Sequence, residues 1–223
     1  MNEAEENNKS NGYEYELSNG FKHLPDQIIV AYSQGRAYKT GRPLGVRIWR
    51  PSELGKLINA IPKKYSRTQF EFLLYTGMRY VEAQALKDRP DLFDGRTIHL
   101  TPDVIAQKKK CKFASRYVIL SPIGRRVVSD YLDLKKSLPN HTTWQENLGR
   151  WSVKAKIDPS YVSCKSTRKT WESFLIFTYP MWRDKIFTSQ GHTELTALRN
   201  YVNLPFTQKD KDDMIAYVAG WSQ

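Results

Sequence analysis

The spacing of apolar residues changes near residue 51, and most of the chain beyond that point shows helical periodicity. Leu54, Leu57 and Ile61 lie three or four positions apart, which predicts a first helix with Ser52 as its N-cap and Pro62 just past its end. Further helices are predicted at about residues 66–76, 79–87, 121–134, 144–155, 163–178, 193–200 and 209–219. Most of the chain is therefore expected to be helical.

Residues 96–120 have a different period. The runs RTIHL, PDVIAQ and RYVIL are short and β-prone, and Lys108–Lys112 forms a basic turn between the last two. This pattern predicts a small antiparallel sheet with a basic hairpin tip. The predicted fold class is α+β, mainly α with one small antiparallel sheet, and residues 51–223 are expected to form one domain.

The first 50 residues lack these patterns. Residues 1–20 are rich in Asn, Glu and Ser with little apolar content, so a disordered acidic tail is predicted there. Residues 21–50 are predicted to be either a basic arm that lies on phosphates or a solvated linker, and the pattern favours neither. In this segment, the stretch QGRAYKTGRPLGVRIWR has five basic side chains, Arg36, Lys39, Arg42, Arg47 and Arg50.

Charge narrows the class of partner. The 223 residues include 35 Lys and Arg against 23 Asp and Glu, a net charge of +12. Residues 1–20 hold five Glu and one Lys, a charge of −4, so the rest of the chain has +12 − (−4) = +16. A compact body this basic is expected to bind a polyanion, either nucleic acid or an anionic membrane surface.

Several other classes are disfavoured by composition. The sequence has no run of 18 apolar residues, so no transmembrane helix is predicted. The acidic N-terminus does not have the pattern of a secretory signal. No predicted helix pairs a basic face with a broad apolar one, so membrane binding is not expected. Two Cys and four His show no metal-ligand spacing, and no cofactor is predicted. An intracellular nucleic-acid-binding protein is the resulting expectation.

Two segments offer arginines to an anion. Arg79 follows Gly77 at a predicted helix start, where backbone N–H groups favour a phosphate and a guanidinium can form bidentate bonds. The alternative is a surface arginine paired with Glu82 or Glu71. Lys165 and Arg168 lie three residues apart on one helical face and could bind the same anion, or they could form an ordinary basic first turn.

In sequence order, these segments resemble the tyrosine recombinase (phage-type integrase) family. TGMRYVEAQAL resembles the first arginine box, CKSTRKTWESFLI the second, and QGHTELTALRNY the box that runs from Gly-His to Tyr, with Tyr201 nine residues after His192. The resemblance covers about residues 51–223 and implies the fold of that family's catalytic domain. Lys165 stands where His is usual, which resembles the integrases of archaeal viruses and plasmids.

The resemblance implies a role for each matching residue. Arg79 and Arg168 would bind the non-bridging oxygens of the scissile phosphate, with Lys165 beside them, and His192 would hydrogen-bond the phosphate. Tyr201 would be the nucleophile. The general acid would be a hairpin lysine, and Lys108 and Lys110 are the candidates because alternate residues of a strand share a face. Further DNA contacts are expected from Arg36, Lys39, Arg42, Arg47, Lys109 and Lys112.

The implied activity is site-specific DNA recombination, including integration of a viral genome, through a 3′-phosphotyrosyl intermediate and without metal or ATP. Expected partners are double-stranded DNA attachment sites and further copies of the chain, as a tetramer on DNA in the host cytoplasm or nucleoid. The C-terminal helix, with Met214, Ile215 and Val218, would dock on a neighbouring copy or pack on its own domain. The alternatives are a catalytically inactive DNA-binding relative and a type IB topoisomerase-like enzyme.

Most members of the family have a helical core-binding domain before the catalytic domain. Only about 50 residues precede the first predicted catalytic helix here, which is too few for a separate packed domain. Either the basic arm replaces that domain or the chain is a catalytic fragment.

Overall fold

The computed structural model describes residues 28–32, 45–105, 115–191 and 204–221. Four strands and nine α-helices lie in these ranges: β1 (Ile29–Tyr32), β2 (Gly45–Ile48), α1 (Pro51–Ala60), α2 (Lys64–Thr76), α3 (Tyr80–Asp88), β3 (Thr97–Leu100), α4 (Pro102–Ile105), β4 (Arg116–Ile119), α5 (Pro122–Asp133), α6 (His141–Lys154), α7 (Ser166–Thr178), α8 (Arg183–Gln190) and α9 (Gln208–Val218). Short 3-10 turns follow α3 and α7. The predictions for the tail at 1–20, Arg36, Lys39, Arg42, Lys108–Lys112, the helix at 193–200, His192 and Tyr201 lie outside the described residues.

The described chain is mostly helical with two small antiparallel sheets, which confirms the predicted fold class. β3 pairs with β4, with Thr97 opposite Ile119, as the β-prone runs predict. The prediction of a strand at PDVIAQ is wrong, because residues 102–105 form helix α4. The Thr101 carbonyl accepts from the N–H groups of Val104 and Ile105, both at 3.1 Å, and Pro102 occupies the first helical position, where its missing N–H costs nothing.

The second sheet lies in the predicted arm. β1 and β2 pair with Ile29 opposite Ile48, and both of these side chains are buried in the core. Trp49, which follows β2, is fully buried, and its backbone N–H donates to Thr170 Oγ1 at 3.1 Å. The packed body therefore begins before residue 51, and this part of the predicted arm belongs to it.

Two arginines of the predicted arm also serve the fold. Arg47 has no exposed surface, and its Nη2 donates to Glu53 Oε1 at 2.5 Å. Arg50 pairs with Asp210, and its Nη2 donates to the Pro205 carbonyl at 3.2 Å. A side chain without exposed surface cannot reach a phosphate, so the prediction of a DNA contact by Arg47 is wrong in this arrangement.

Helix ends follow local chemistry. The N-cap of α1 is Arg50 rather than the predicted Ser52, so the helix begins at Pro51. The N–H of Arg50 donates to Glu53 Oε2 at 2.9 Å. The predicted stop after α2 is confirmed, since Gly77 is left-handed with φ +59°. Ser121 caps α5 as predicted, with its Oγ accepting from Gly124 N at 3.1 Å.

Helix α7 lies at the centre of the core and packs against α2, β2 and α9. Its Trp171, Phe174 and Leu175 are fully buried, as the sequence predicts. Between α2 and α5, the rings of Phe72 and Tyr131 stack with their centroids 3.8 Å apart. Because α7 packs directly on α2, the N-terminal end of α7 lies beside the C-terminal end of α2. The candidate site lies where these two ends meet.

The C-terminal helix α9 packs against α7 and α1 of its own chain. Met214 and Val218 are fully buried there, whereas Ile215 is 54% exposed. Of the two alternatives for this helix, Met214 and Val218 follow the second, packing on their own domain. Docking of the helix on another copy stays a prediction. Among the described helices, none is both long and apolar enough to cross a membrane.

Candidate active site

Two helices end at the same place, and each ends in a left-handed glycine. Gly77 follows α2 with φ +59°, and Gly191 follows α8 with φ +65°. The last carbonyls of a helix have no partner within the helix and form the negative end of its dipole. Arginine side chains from three different elements donate to these carbonyls.

Arg168 joins the two helix ends. It lies in the first turn of α7 with only 6% of its surface exposed. Its Nη1 donates to the Gly77 carbonyl at 2.6 Å, and its Nη2 donates to the Gln190 carbonyl. The pKa of Arg168 is lowered to about 10, chiefly by burial and also by the charges of Arg79 and Arg116, against the opposing charges of Glu172 and Glu82. Arg168 thus remains a cation at neutral pH.

Arg79 approaches the same carbonyls from the start of α3. Its Nη2 donates to the Gly191 carbonyl at 3.0 Å, and its Nη1 donates to Glu82 Oε1 at 2.7 Å. The side chain is 37% exposed, so Arg79 is open to solvent, unlike Arg168. The ion pair with Glu82 that the sequence offered as the alternative is present, and the same guanidinium also reaches the end of α8.

Arg116, which the sequence analysis missed, is the third arginine. It lies in β4 with 3% of its surface exposed, and its Nη1 donates to the Ser189 carbonyl at 2.5 Å. Its Nη2 donates to Glu82 Oε2, also at 2.5 Å. A signal was available in the sequence, because alternation along β4 puts Arg116 on the same inward face as Val118.

The three-arginine cluster of Arg79, Arg116 and Arg168 therefore binds three successive carbonyls, those of residues 189, 190 and 191. Glu82 is 2% exposed and lies between Arg79 and Arg116. Burial would raise the pKa of the Glu82 carboxyl, but Arg116, Arg79 and Arg168 outweigh it and the pKa is lowered. Glu172, fully buried in α7, is the largest single charge that acts on Arg168. Backbone carbonyls have no net charge, so Glu82 and Glu172 together set two carboxylates against the three cations.

Two lysines extend the positive charge along α7. Lys165 is the N-cap of α7 and is exposed, whereas Arg168 of the same turn is buried, so the predicted pair differs in its access to solvent. Lys169 is half-buried. Burial lowers its pKa to about 8, and Arg168 and Lys165 contribute against the opposing charge of Glu172. The main cause is burial, which disfavours the charged form of a lysine.

His192, Tyr201 and the hairpin lysines lie outside the described residues. His192 is the residue after Gly191, and Tyr201 follows nine residues later. The hairpin lysines precede Arg116 in the chain. In the described ranges, no group of three or more His, Cys, Asp or Glu side chains could hold a metal ion.

The chain is similar in fold to two solved structures of one integrase. The chain is similar to a fragment of the Tn1549 transposon integrase in complex with circular intermediate DNA, with a TM-score of 0.54 and 15% sequence identity over 77% of this chain and 67% of that one. A tyrosine-to-phenylalanine variant of that fragment, in complex with transposon right-end DNA, gives 0.52 and 16% over 77% and 66%. No protein-family model and no curated protein matches the chain. The likeness shows an integrase-type fold, as the resemblance of the boxes implies.

Proposed function

We propose that this protein is a tyrosine recombinase, an integrase that cleaves and rejoins DNA strands through a 3′-phosphotyrosyl intermediate. The observation that supports this most strongly is the convergence of Arg79 and Arg168. They belong to separate boxes of the sequence, and they bond to the carbonyls of adjacent residues, Gly191 and Gln190. The integrase-type fold supports the same function. The three sequence boxes of this chain also occur in the order that the family has.

The arginines suit a phosphodiester. A phosphodiester is anionic and repels nucleophiles, and negative charge grows on its non-bridging oxygens in the transition state. Preorganised donors at such oxygens contribute on the order of 3 kcal/mol each. A charged phosphate oxygen accepts a stronger hydrogen bond than a neutral carbonyl does. We therefore expect Arg79, which is 37% exposed, to turn from the Gly191 carbonyl to the phosphate when DNA binds.

Tyr201 is the proposed nucleophile. A phenol has a pKa of about 10, and nearby cations lower it by stabilising the phenolate. Attack forms a bond between the Tyr201 oxygen and phosphorus and breaks the bond from phosphorus to the 5′-oxygen. The departing oxygen takes a proton from Lys108 or Lys110 as general acid. The phosphotyrosyl bond conserves the energy of the broken one, so a 5′-hydroxyl can reverse the step and rejoin the strand.

The partner in this proposal is double-stranded DNA. The net charge of the chain is +12, and the three-arginine cluster has one more cation than the carboxylates of Glu82 and Glu172 neutralise. Lys165, exposed at the start of α7, is the proposed neighbour of the bound phosphate in place of the usual His. That substitution is the only feature that points to an element of archaeal viruses or plasmids.

The test is a covalent adduct. The protein is incubated with a pool of nicked duplexes of randomised sequence, and DNA that stays attached in detergent is recovered and sequenced. Wild type should give an adduct enriched for particular sequences, and Tyr201→Phe should give none. Tyr161→Phe is the matched control, because Tyr161 is 41% exposed and lies in the turn before α7, and this variant should behave as wild type.

The outcomes separate the alternatives. Absence of an adduct from wild type, together with tight DNA binding, would favour an inactive DNA-binding relative. An adduct whose only product is relaxed DNA would favour a topoisomerase. A recombinase should instead form four-way junctions between two recovered sites.

A further inference from the structure

We propose that Arg116 is a positioning residue for phosphate binding: it holds Glu82, and through Glu82 it holds Arg79, at the end of helix α8. The inference rests on the proposed function, in which Arg79 binds the scissile phosphate. Arg116 itself is 3% exposed, so it is not placed to contact DNA directly.

The first step of the argument is the bridge that Arg116 makes. Its Nη1 donates to the Ser189 carbonyl and its Nη2 to Glu82 Oε2, both at 2.5 Å. The guanidinium is planar and its donors lie in a rigid fork. The two bonds therefore fix Glu82, in the first turn of α3, relative to the C-terminal end of α8.

The second step runs from Glu82 to Arg79. Glu82 Oε1 accepts from Arg79 Nη1 at 2.7 Å, and Glu82 Oε2 accepts from the Arg79 backbone N–H at 2.8 Å. The carboxylate is 2% exposed and cannot rotate into water. Arg79 is 37% exposed, whereas the other two arginines of the cluster are buried. Its guanidinium is not held by surrounding atoms on all sides, so the rigid Glu82 carboxylate gives it a defined position.

The third step is the space made for Arg116. A Cβ on Gly191 would lie 2.8 Å from Arg116 Nε and 2.9 Å from its Cδ, closer than carbon atoms approach in proteins. Gly191 is also left-handed, with φ +65°. The turn after α8 thus admits the Arg116 side chain because residue 191 has none. The same turn supplies the carbonyl that Arg79 binds.

The experiment uses the charge of the phosphate as its probe. Nicked duplexes that wild type cleaves are made with a normal phosphodiester or with either diastereomer of a methylphosphonate at the scissile position. A methylphosphonate replaces one non-bridging oxygen by a neutral methyl group, so an arginine that neutralises that oxygen is no longer needed. The Arg79→Ala variant identifies the diastereomer on which the Arg79 guanidinium is dispensable.

Arg116→Met should slow adduct formation on the phosphodiester by about 100-fold, since small displacements of a positioning group have effects of this size. On the diastereomer that removes the need for Arg79, the same variant should come within about threefold of wild type. An equal loss of rate on all three substrates would overturn the proposal. The loss caused by a merely structural residue should not depend on the charge of the scissile phosphate.

A second variant guards against misfolding. Arg116→Met leaves the buried Glu82 with one partner fewer, whereas the double variant with Glu82→Gln removes that charge as well. The double variant should unfold near the wild-type temperature and show the same dependence on substrate, and a return to wild-type rates on the phosphodiester would overturn the proposal. If wild type itself forms no adduct, the proposed function fails; if wild type works and the substrate dependence is absent, only the role of Arg116 fails.

Discussion

Two groups of arginines in the described part of the chain are balanced differently by nearby carboxylates. In the N-terminal pair, Arg47 faces Glu53 and Arg50 faces Asp210, one carboxylate for each cation. In the three-arginine cluster, Glu82 faces both Arg79 and Arg116, and Arg168 donates to two backbone carbonyls.

The difference teaches how one residue type serves structure or binding. A cation matched by its own carboxylate joins two elements and leaves no net charge: the N-terminal pair ties the segment before α1 to α1 and α9. In the three-arginine cluster, Glu82 and Glu172 supply two carboxylates for three cations, and the backbone carbonyls that hold the guanidinium groups have no net charge to neutralise the third. The cluster is therefore both rigid and attractive to an anion, which is what a phosphate-binding site requires.

The largest expected effect tests the cluster itself. Arg168→Lys should slow adduct formation by about 10²–10³-fold, because an ammonium cannot present the fork that reaches both the Gly77 and Gln190 carbonyls. Single-turnover rates on a nicked duplex measure this. Arg50→Lys is the matched change in the N-terminal pair and should leave the rate of the folded protein unchanged. Equal losses in the two variants would erase the distinction between the groups.

The converse change tests the N-terminal pair. Arg50→Met should lower the free energy of unfolding by about 3 kcal/mol, because the Asp210 carboxylate, itself 7% exposed, loses the cation that compensates it. Denaturant titration measures the loss. Adding Asp210→Asn should recover part of it, since the unpaired charge is gone. No loss of stability in Arg50→Met would show that the pair does not hold α9.

A smaller effect is expected where the helix ends meet. A Cβ on Gly77 would lie 2.5 Å from Gln190 Oε1 and 2.6 Å from Trp171 Cδ1. Gly77→Ala should destabilise the fold by about 2 kcal/mol, from left-handed strain and crowding together. Gly95→Ala is the control, because Gly95 also has positive φ but a Cβ there meets nothing within 4 Å. If both variants lower the free energy of unfolding by the same amount, the crowding of a Cβ at Gly77 against Gln190 and Trp171 does not affect stability.

The last prediction concerns pH, and its effect is gradual because it is spread over more than two pH units. The pKa of Lys169 is lowered from 10.5 to about 8, chiefly by burial. Between these values the unfolded chain binds more protons than the folded one, so this lysine makes the free energy of unfolding rise with pH. The rise should appear as a difference between wild type and Lys169→Met from pH 8 to 10.5 in denaturant titrations. Parallel curves for the two proteins would show that the lysine pKa is ordinary.

Much of the fold follows from local chemistry. Gly77 and Ser121 mark helix boundaries because a left-handed turn and an N-cap each favour one residue type. Helix α4 was missed although Thr101 and Pro102 are a start signal, because the apolar residues Val104 and Ile105 favoured a strand in a β-prone region.

The site is harder to predict from sequence than the fold. Arg79 and Arg168 were found because their boxes resemble a family. Arg116 and Arg47 sit on β-strands, where an arginine usually points to solvent, and their burial depends on Glu82 and Glu53 from other elements. Partners from distant elements cannot be read from the local sequence pattern. The one local signal is a charged residue at a strand position that the alternation assigns to the buried face.

The most direct test of the central claim is to map the DNA-linked residue. Adducts trapped on wild-type protein are digested with protease and nuclease, and the peptide that retains a nucleotide is sequenced by mass spectrometry. The account predicts a 3′-phosphate ester on Tyr201 and a free 5′-hydroxyl on the released strand. A nucleotide on any other residue, or a link to the 5′ end, would contradict it.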